Sequence, residues 1–446
     1  QMKGAGVTLS VLLDTPYWVG VVVVGGVITA NVALGGMRGI TFVQAFQYWV
    51  KVTAISLPAV VMLMHYRGDE LPEISSPAPP VFAAATDVEF SSAVDFQVDE
   101  PVTVVAEGEV DGQAVAGAVT RAVGEHRAGD GTHLVFPAGA RTPHASGLTV
   151  SDGVRWSRPF GPIGDDRSHP VFFTYSLILA TFLGTMGLPH ILVRFYTNPD
   201  GRAARRTTVI VLGLMGCFYV FPAVYGALGR VYAPDLYLTG RTDAVVLVLP
   251  ERVVGGLPGE LLAGLVAAGA FAAFLSTASG LLISVAGALS HDVLRSTVAD
   301  FRRSAAFAGL VAIVLGLWVQ SFDINLLVGW AFAIAASSFC PLLVLGIWWQ
   351  GLTAAGALAG LVTGGGAASL AILATMAGYG GSGWPEALLG QPAAWSVPLA
   401  FATMVLVSRW TAVRAPADVG TKMLTLHTPE RLGLGERLAL DPLEHD

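Results

Sequence analysis

The chain has 446 residues, 53% of them hydrophobic and only 13% charged, with a mean hydropathy of +0.63. That balance excludes a soluble enzyme of this length and predicts an all-α polytopic membrane protein. The net charge of −7 is unevenly placed: acidic residues gather between Asp69 and Asp166, arginines sit in short loops, and nothing reads as a nucleic-acid surface.

In chain order, residues 1–15 form a weakly apolar lead-in to a first span at Tyr17–Gly36. GGMRGIT, Gly35–Thr41, reads as a tight reversal before a second span at about Phe42–His65. Residues 67–168 then change character, with seven arginines, no lysine and many acidic, Pro and Gly residues. Within them VEFSSAVDFQV, PVTVVAEGEV and THLVF alternate β-branched and aromatic residues between turn formers. A Pro-rich linker near Ser76–Pro80 followed by a small soluble β-rich module is expected, against the alternative of a long disordered loop. Seven more spans follow, near Val171–Phe195, Val209–Tyr232, Leu257–Leu289, Ala305–Ser321, Leu326–Trp349, Ala355–Tyr379 and Trp395–Trp410. The organisation predicted is thus a membrane region at 1–66, the insert at 67–168, a membrane region at 169–410 and a polar tail at 411–446. Arg194, Arg202, Arg205, Arg206, Arg295, Arg302 and Arg303 lie in short loops and should be cytoplasmic. Arg38, Arg409 and Arg414 fall on the same side, so nine spans place the insert outside and the C-terminus inside. Cys217 and Cys340 lie in apolar spans, which argues against a disulfide.

Three stretches carry chemistry. AAGAFAAFLSTASGLLISVAGALSHD, Ala267–Asp292, is long enough to cross a bilayer yet crowded with small and hydroxyl residues. Ala273, Ser276 and Thr277 stand at i, i+3 and i+4 and share a helix face, where a carbonyl and two hydroxyls can meet a small hard cation. The competing reading is close helix packing with each hydroxyl bonded to its own i−4 carbonyl. GTMGLPHILVRF, Gly184–Phe195, places Gly184, Gly187 and Pro189 where a continuous helix does not want them. A break there frees backbone groups for ion or substrate, whereas the plainer reading is a proline kink. His190 beside it is an intramembrane ionisable residue, a proton carrier or carboxylate partner on one reading and a packing histidine on the other. GWAFAIAASSFCPLLVLGIWW, Gly329–Trp349, offers the small face Ala333–Ala336 with Ser337 and Ser338, to line a cavity or to pack.

AFLSTASGLLISVAGALSHD resembles the eighth core helix of the sodium:solute symporter family. GTMGLPHILVRFYT resembles the sixth core helix of its cation/acetate (monocarboxylate) branch, and Gly329–Trp349 the tenth. The resemblance implies a five-plus-five inverted repeat in which Ala273, Ser276 and Thr277 bind sodium. It implies substrate lining by Gly184, Gly187, Leu188, Pro189, His190, Ala333, Ser337 and Ser338. Some sodium-coupled relatives carry an Asp where this chain has Gln44, and Gly280 lacks a hydroxyl of a second site, so one coupling ion is expected. Gly35–Gly36 would close the fourth core helix, so the first core helices are expected to be missing and the chain to be a fragment.

The function expected is sodium-coupled symport of acetate or another short monocarboxylate across the plasma membrane. No cofactor is expected beyond sodium as coupling ion. The partners expected are solute, sodium and lipid, with an accessory membrane subunit left open. The alternatives are a membrane sensor using a symporter-like domain, disfavoured by the short tail, and a symporter of another solute, such as an amino acid, or one coupled to protons.

Overall fold

A computed structural model describes residues 1–13, 15–66, 80–90, 92–146, 169–188, 191, 198, 200–294, 297–320, 322–412 and 418–428. Apolar runs become helices: α1 (Met2–Leu13), α2 (Tyr17–His65), α3 (Pro170–Gly187), α4 (Gly201–Tyr232), α5 (Asp235–Leu238), α6 (Val245–Val254), α7 (Gly256–Ala288), α8 (Val298–Trp318) and α9 (Ile324–Trp348). They continue as α10 (Ala354–Gly360), α11 (Gly366–Met376), α12 (Trp384–Gly390), α13 (Ala393–Trp410) and α14 (Val419–His427). Among the described residues eight stretches are long and apolar enough to cross a membrane: Tyr17–Gly35, Phe46–His65, α3, α4, Gly256–Val293, α9, Ala354–Met376 and α13. The ninth expected span, Ala305–Ser321, falls on α8, which opens with Asp300, Arg302 and Arg303 and is not one of the eight.

The reversal expected at Gly35–Thr41 is replaced by unbroken helix. α2 runs 49 residues, and its backbone stays helical through the glycines. Glycine weakens a helix without ending it, and no proline stands here to remove a donor. One helix carrying two spans removes the turn on which the alternation of nine spans was counted.

Two compact units divide the chain: Gln1–Pro162 with Ile210–Ile324, and Ile163–Val209 with Asn325–Asp446. In the first, α7 lies antiparallel along α2. Val24, Ile28 and Val32 share a buried cluster with Ala278, Leu282 and Ala286, while Gly269, further back on α7, meets Ala54, further on along α2. A Cβ on Gly269 would stand 2.2 Å from that of Ala54, so the backbones touch. Thr29 presses equally closely on Gly309 of α8.

The same unit contains a seven-stranded antiparallel sheet: β1 (Thr86–Phe90), β2 (Val94–Val98), β3 (Val102–Val110), β4 (Gln113–Arg121), β5 (Gly124–Ala128), β6 (Thr132–Phe136) and β7 (His144–Ala145). The order is β1-β6-β3-β5-β2-β7, with β4 alongside β3. Ser76–Pro79 of the expected linker lie outside the described residues. Alternation turns Val88, Phe90, Phe96, Val98, Val104, Leu134 and Phe136 into one core. Leu238 of α5 joins that core, fully buried, so a residue from beyond the insert completes it.

The β3–β4 hairpin closes on Asp111-Gly112, both at positive φ (55° and 74°), the mirror-image turn that fits strand twist. Asp111 accepts from the Arg127 N–H at 2.8 Å, His126 Nδ1 at 2.9 Å and Arg121 at 3.1 Å. Burial works to raise its pKa, but the Arg127 N–H, then His126 and Arg121, outweigh burial and hold it below the usual carboxylate range. A depressed folded pKa stabilises the fold above the unfolded value of about 3.9 and loses that stabilisation as pH falls through the folded value. The sheet is therefore expected to lose protease resistance as pH falls below about 4, and Asp111→Asn to flatten that dependence. An unchanged acid profile in Asp111→Asn would remove this carboxylate from the balance.

Candidate functional site

Gln44, Gln47 and Lys51 stand three and four apart on α2 and share a helix face, as do Ala273, Ser276 and Thr277 on α7. The antiparallel packing brings the two faces together. Gln44 Nε2 donates to the Ser276 carbonyl at 2.9 Å, so a neutral amide holds α2 to α7 at the position where an Asp was looked for. Gln47 is buried and its Oε1 has no hydrogen-bond partner.

The hydroxyls of this stretch differ from others on the apolar helices. Thr29, Thr181, Ser284, Ser338 and Thr363 all donate to their own i−4 carbonyls. Those bonds consume the donor locally, as the packing reading requires. The hydroxyls of Ser276 and Thr277 make no hydrogen bond among the described residues, and Ser279 Oγ is buried without a partner. Ser276 is buried and Thr277 half-buried. Unpaired oxygens beside the bilayer interior are costly unless something satisfies them. A small cation is such a group, because it draws on lone pairs and needs no donor.

Ala273, the third expected ion residue, lines a cavity of about 210 Å³ enclosed by α1, α2, α4, α6 and α7. Its lining is chiefly apolar, with Thr8, Lys51 and Asp243 as polar exceptions. Asp243 accepts from the Ile324 N–H at 3.4 Å and lies 3.6 Å from buried Lys3, whose ammonium also donates to the Phe322 carbonyl. Sequence reasoning passed over Lys3, Gln47, Lys51 and Asp243. The available signal was charge or amide inside an apolar run, which in a membrane protein is costly enough to suggest use.

The substrate-lining residues expected from the resemblance lie in the second unit. α3 ends at Gly187 and Leu188 turns extended, so the helix stops where the glycines and proline suggested; Pro189 and His190 lie outside the described residues. Gly184 and Gly187 lie directly on α9: a Cβ on Gly184 would stand 2.4 Å from the Phe332 carbonyl oxygen, and one on Gly187 2.8 Å from that of Ala335. Ala333 and Ser337 are fully buried and Ser338 nearly so. Ser337 donates to the Ala333 carbonyl and shares a 2.6 Å hydrogen bond with Ser396. Ser338 donates to the Ile334 carbonyl. In this arrangement the small face of α9 packs and its hydroxyls are satisfied.

Helices of spanning length, with ionisable groups lining a cavity among them, define a class: a multi-pass membrane protein. Residues 162–364 match the sodium:solute symporter family. A monocarboxylic acid transporter of Corynebacterium glutamicum is 29% identical over 99% of this chain and 72% of its own length. An uncharacterised symporter of Cupriavidus necator and another of Bacillus subtilis are each 34% identical over 54% of this chain, spanning 42% and 51% of their own lengths. The chain is thus similar to the sodium:solute symporter family over these residues and to proteins named as a transporter and symporters over more of its length, as its motifs suggested.

Proposed function

We propose that the protein couples an inward sodium gradient to uptake of a short monocarboxylate, its helices belonging to the five-plus-five inverted repeat that the resemblance implies. The observation that carries the sodium assignment is that the hydroxyls of Ser276 and Thr277, which make no hydrogen bond among the described residues, share a helix face with cavity-lining Ala273, with the buried, unpartnered Ser279 Oγ close by in the sequence. Ala273 would give its carbonyl and Ser276 and Thr277 their hydroxyls, and Gln47 Oε1 on α2 is a further oxygen without a hydrogen-bond partner. The name of the Corynebacterium relative supports the substrate class. Gly184, Gly187, Leu188, Pro189, His190, Ala333, Ser337 and Ser338 remain the proposed substrate border in the second unit, with the two glycines and α9 hydroxyls shaping it through packing. The sheet would face outward, because one span, α3, separates it from the Arg202–Arg206 cluster in the first turns of α4, an arginine cluster that belongs on the cytoplasmic side. With α8 crossing as well, the tail after Arg409 returns to the cytoplasm.

The test is uptake of labelled acetate or propionate by proteoliposomes with and without an inward sodium gradient. Uptake is expected only with the gradient, and gradient-independent or absent uptake overturns the reading. Thr277→Ala removes one neutral oxygen, worth about 1 kcal/mol, and should raise the half-saturating sodium concentration roughly five-fold. Unchanged sodium dependence in a well-folded variant would assign this face to packing.

A further inference from the structure

We propose that the first turns of α4 hold an anionic phospholipid, its phosphate on Arg202, Arg205 and Arg206 and one acyl chain on the exposed apolar stripe that continues from them. The inference goes beyond the symport reading and needs from it only that α4 spans the membrane.

Spacing comes first. Arg202, Arg205 and Arg206 stand at i, i+3 and i+4, so three guanidinium side chains share one face of α4, and all three residues are exposed. Arginines on other elements stand beside carboxylates: Arg121 by Asp111, Arg127 by Asp95, Arg252 by Asp235 and Arg303 by Asp300. The three on α4 make no ion pair or hydrogen bond among the described residues. The acid next to them is Asp200, whose carboxylate accepts from the Ala203 N–H at 2.6 Å and caps the helix. An anion is therefore drawn by the guanidiniums on the flank and not by the helix end. The charge over these four groups is +2 (3 − 1).

Arginines that only orient a span in the membrane need a side of the bilayer, not a shared helix face. Here the face runs on. Below the arginines it passes through Val209 and Leu212, 70% and 63% exposed, then Gly213 and Gly216, to exposed Tyr219 and Val220. Nothing stands within 4 Å of a Cβ built on either glycine, so the stripe dips on its open side between Leu212 and Tyr219. Three cations leading into an apolar stripe match a phosphate leading into a hydrocarbon chain. A guanidinium pairs two-pronged with phosphate oxygens and sheds its water readily. A zwitterionic lipid sets its own cation against that phosphate, and free phosphate gains nothing from the stripe. A second protein helix would cover the apolar part and leave the guanidiniums without counter-charge.

The experiment titrates the delipidated full chain, in uncharged detergent, with phosphatidylglycerol or with phosphatidylcholine of the same acyl chains, counting bound lipid by native mass spectrometry. Saturable binding of phosphatidylglycerol is expected, with phosphatidylcholine at least roughly ten-fold weaker and with affinity falling as salt rises. Each of Arg202→Gln, Arg205→Gln and Arg206→Gln should weaken it roughly five-fold, and the triple variant on the order of a hundred-fold. Arg205→Lys should cost less than Arg205→Gln, Leu212→Ser several-fold, and Arg409→Gln on α13 nothing. Melting without lipid reports folding, and the single variants keep the test open if the triple variant does not fold. Equal binding of the two lipids, or wild-type affinity in the folded Arg or Leu212 variants, would overturn the assignment. So would displacement of the lipid by inorganic phosphate alone, which moves the site to a free anion. A lipid-free dimer that Leu212→Ser dissociates would give the face to a second copy and overturn it as well.

Discussion

Gly184→Val is expected to abolish recovery of folded protein, or to leave it melting far below wild type. The first carbon of any side chain at this position would meet the Phe332 carbonyl oxygen at 2.4 Å and its Cα at 2.9 Å. Both atoms are backbone, so no rotamer change relieves the clash and α3 must move off α9. Overpacking of this kind costs typically about 1–3 kcal/mol even when side chains can adjust, and here they cannot. Gly213→Val on α4 is the matched control, because nothing stands within 4 Å of its site. Both variants add the same branched residue to an apolar helix, so propensity cancels between them. The measurement is monodispersity and melting in detergent. Equal behaviour of the two would show that the α3–α9 contact is looser than its geometry.

The second large effect is expected at Leu238→Ala. Leu238 lies outside the insert, yet it is fully buried in the one cluster that holds Phe82, Phe96, Phe136 and the other side chains of the sheet's core. Truncating a buried leucine typically costs about 2–5 kcal/mol, the spread depending on how far the site can close. A sheet of this size has little stability beyond that to lose. Hydrogen exchange should therefore speed up across β1, β3 and β6 while α7 keeps its protection. Unaltered exchange in the strands would show that the sheet closes its own core. The same contact bears on removal of the insert: excision would leave Leu238 exposed, so the sheet and the segment following α4 should be treated as one folding element.

The strength of the sequence reading depended on how local each signal was. Helices declared themselves as apolar runs, and β1, β2, β3 and β6 as alternation, because burial on one face dictates the pattern within a few residues. β4 and β5 escaped, since QAVAGAVTR is mostly solvent-facing and GEHRA places polar residues at its partly buried positions, so neither shows an apolar alternation. The reversal at Gly35–Thr41 was overread from glycines, which permit a turn without requiring one. Ala273, Ser276 and Thr277 could be placed on one face from spacing alone. Whether their hydroxyls were free or bonded to the preceding turn could not, because both states have the same sequence. Gly184 and Gly187 were read as helix loosening, and the close approach of α9 that they allow is a long-range contact with no local trace. Lys51 was legible as a charge in an apolar run and went unread. Thr8 and Asp243, which line the same cavity, come from distant parts of the chain.

The amide at Gln44 has an electrical consequence. It joins α2 to α7 through a neutral group, and the proposed ion ligands beside it are a carbonyl, hydroxyls and an amide oxygen, so these ligands add no fixed charge of their own to the moving ion. In the proposed cycle one sodium ion and one monocarboxylate cross together, and their charges cancel. A membrane voltage does about 2.3 kcal/mol of work per elementary charge per 100 mV, and on a neutral pair of passengers it does none. The driving force then comes from the sodium concentration ratio alone, and the transporter would accumulate its acid equally well in a polarised and a depolarised cell.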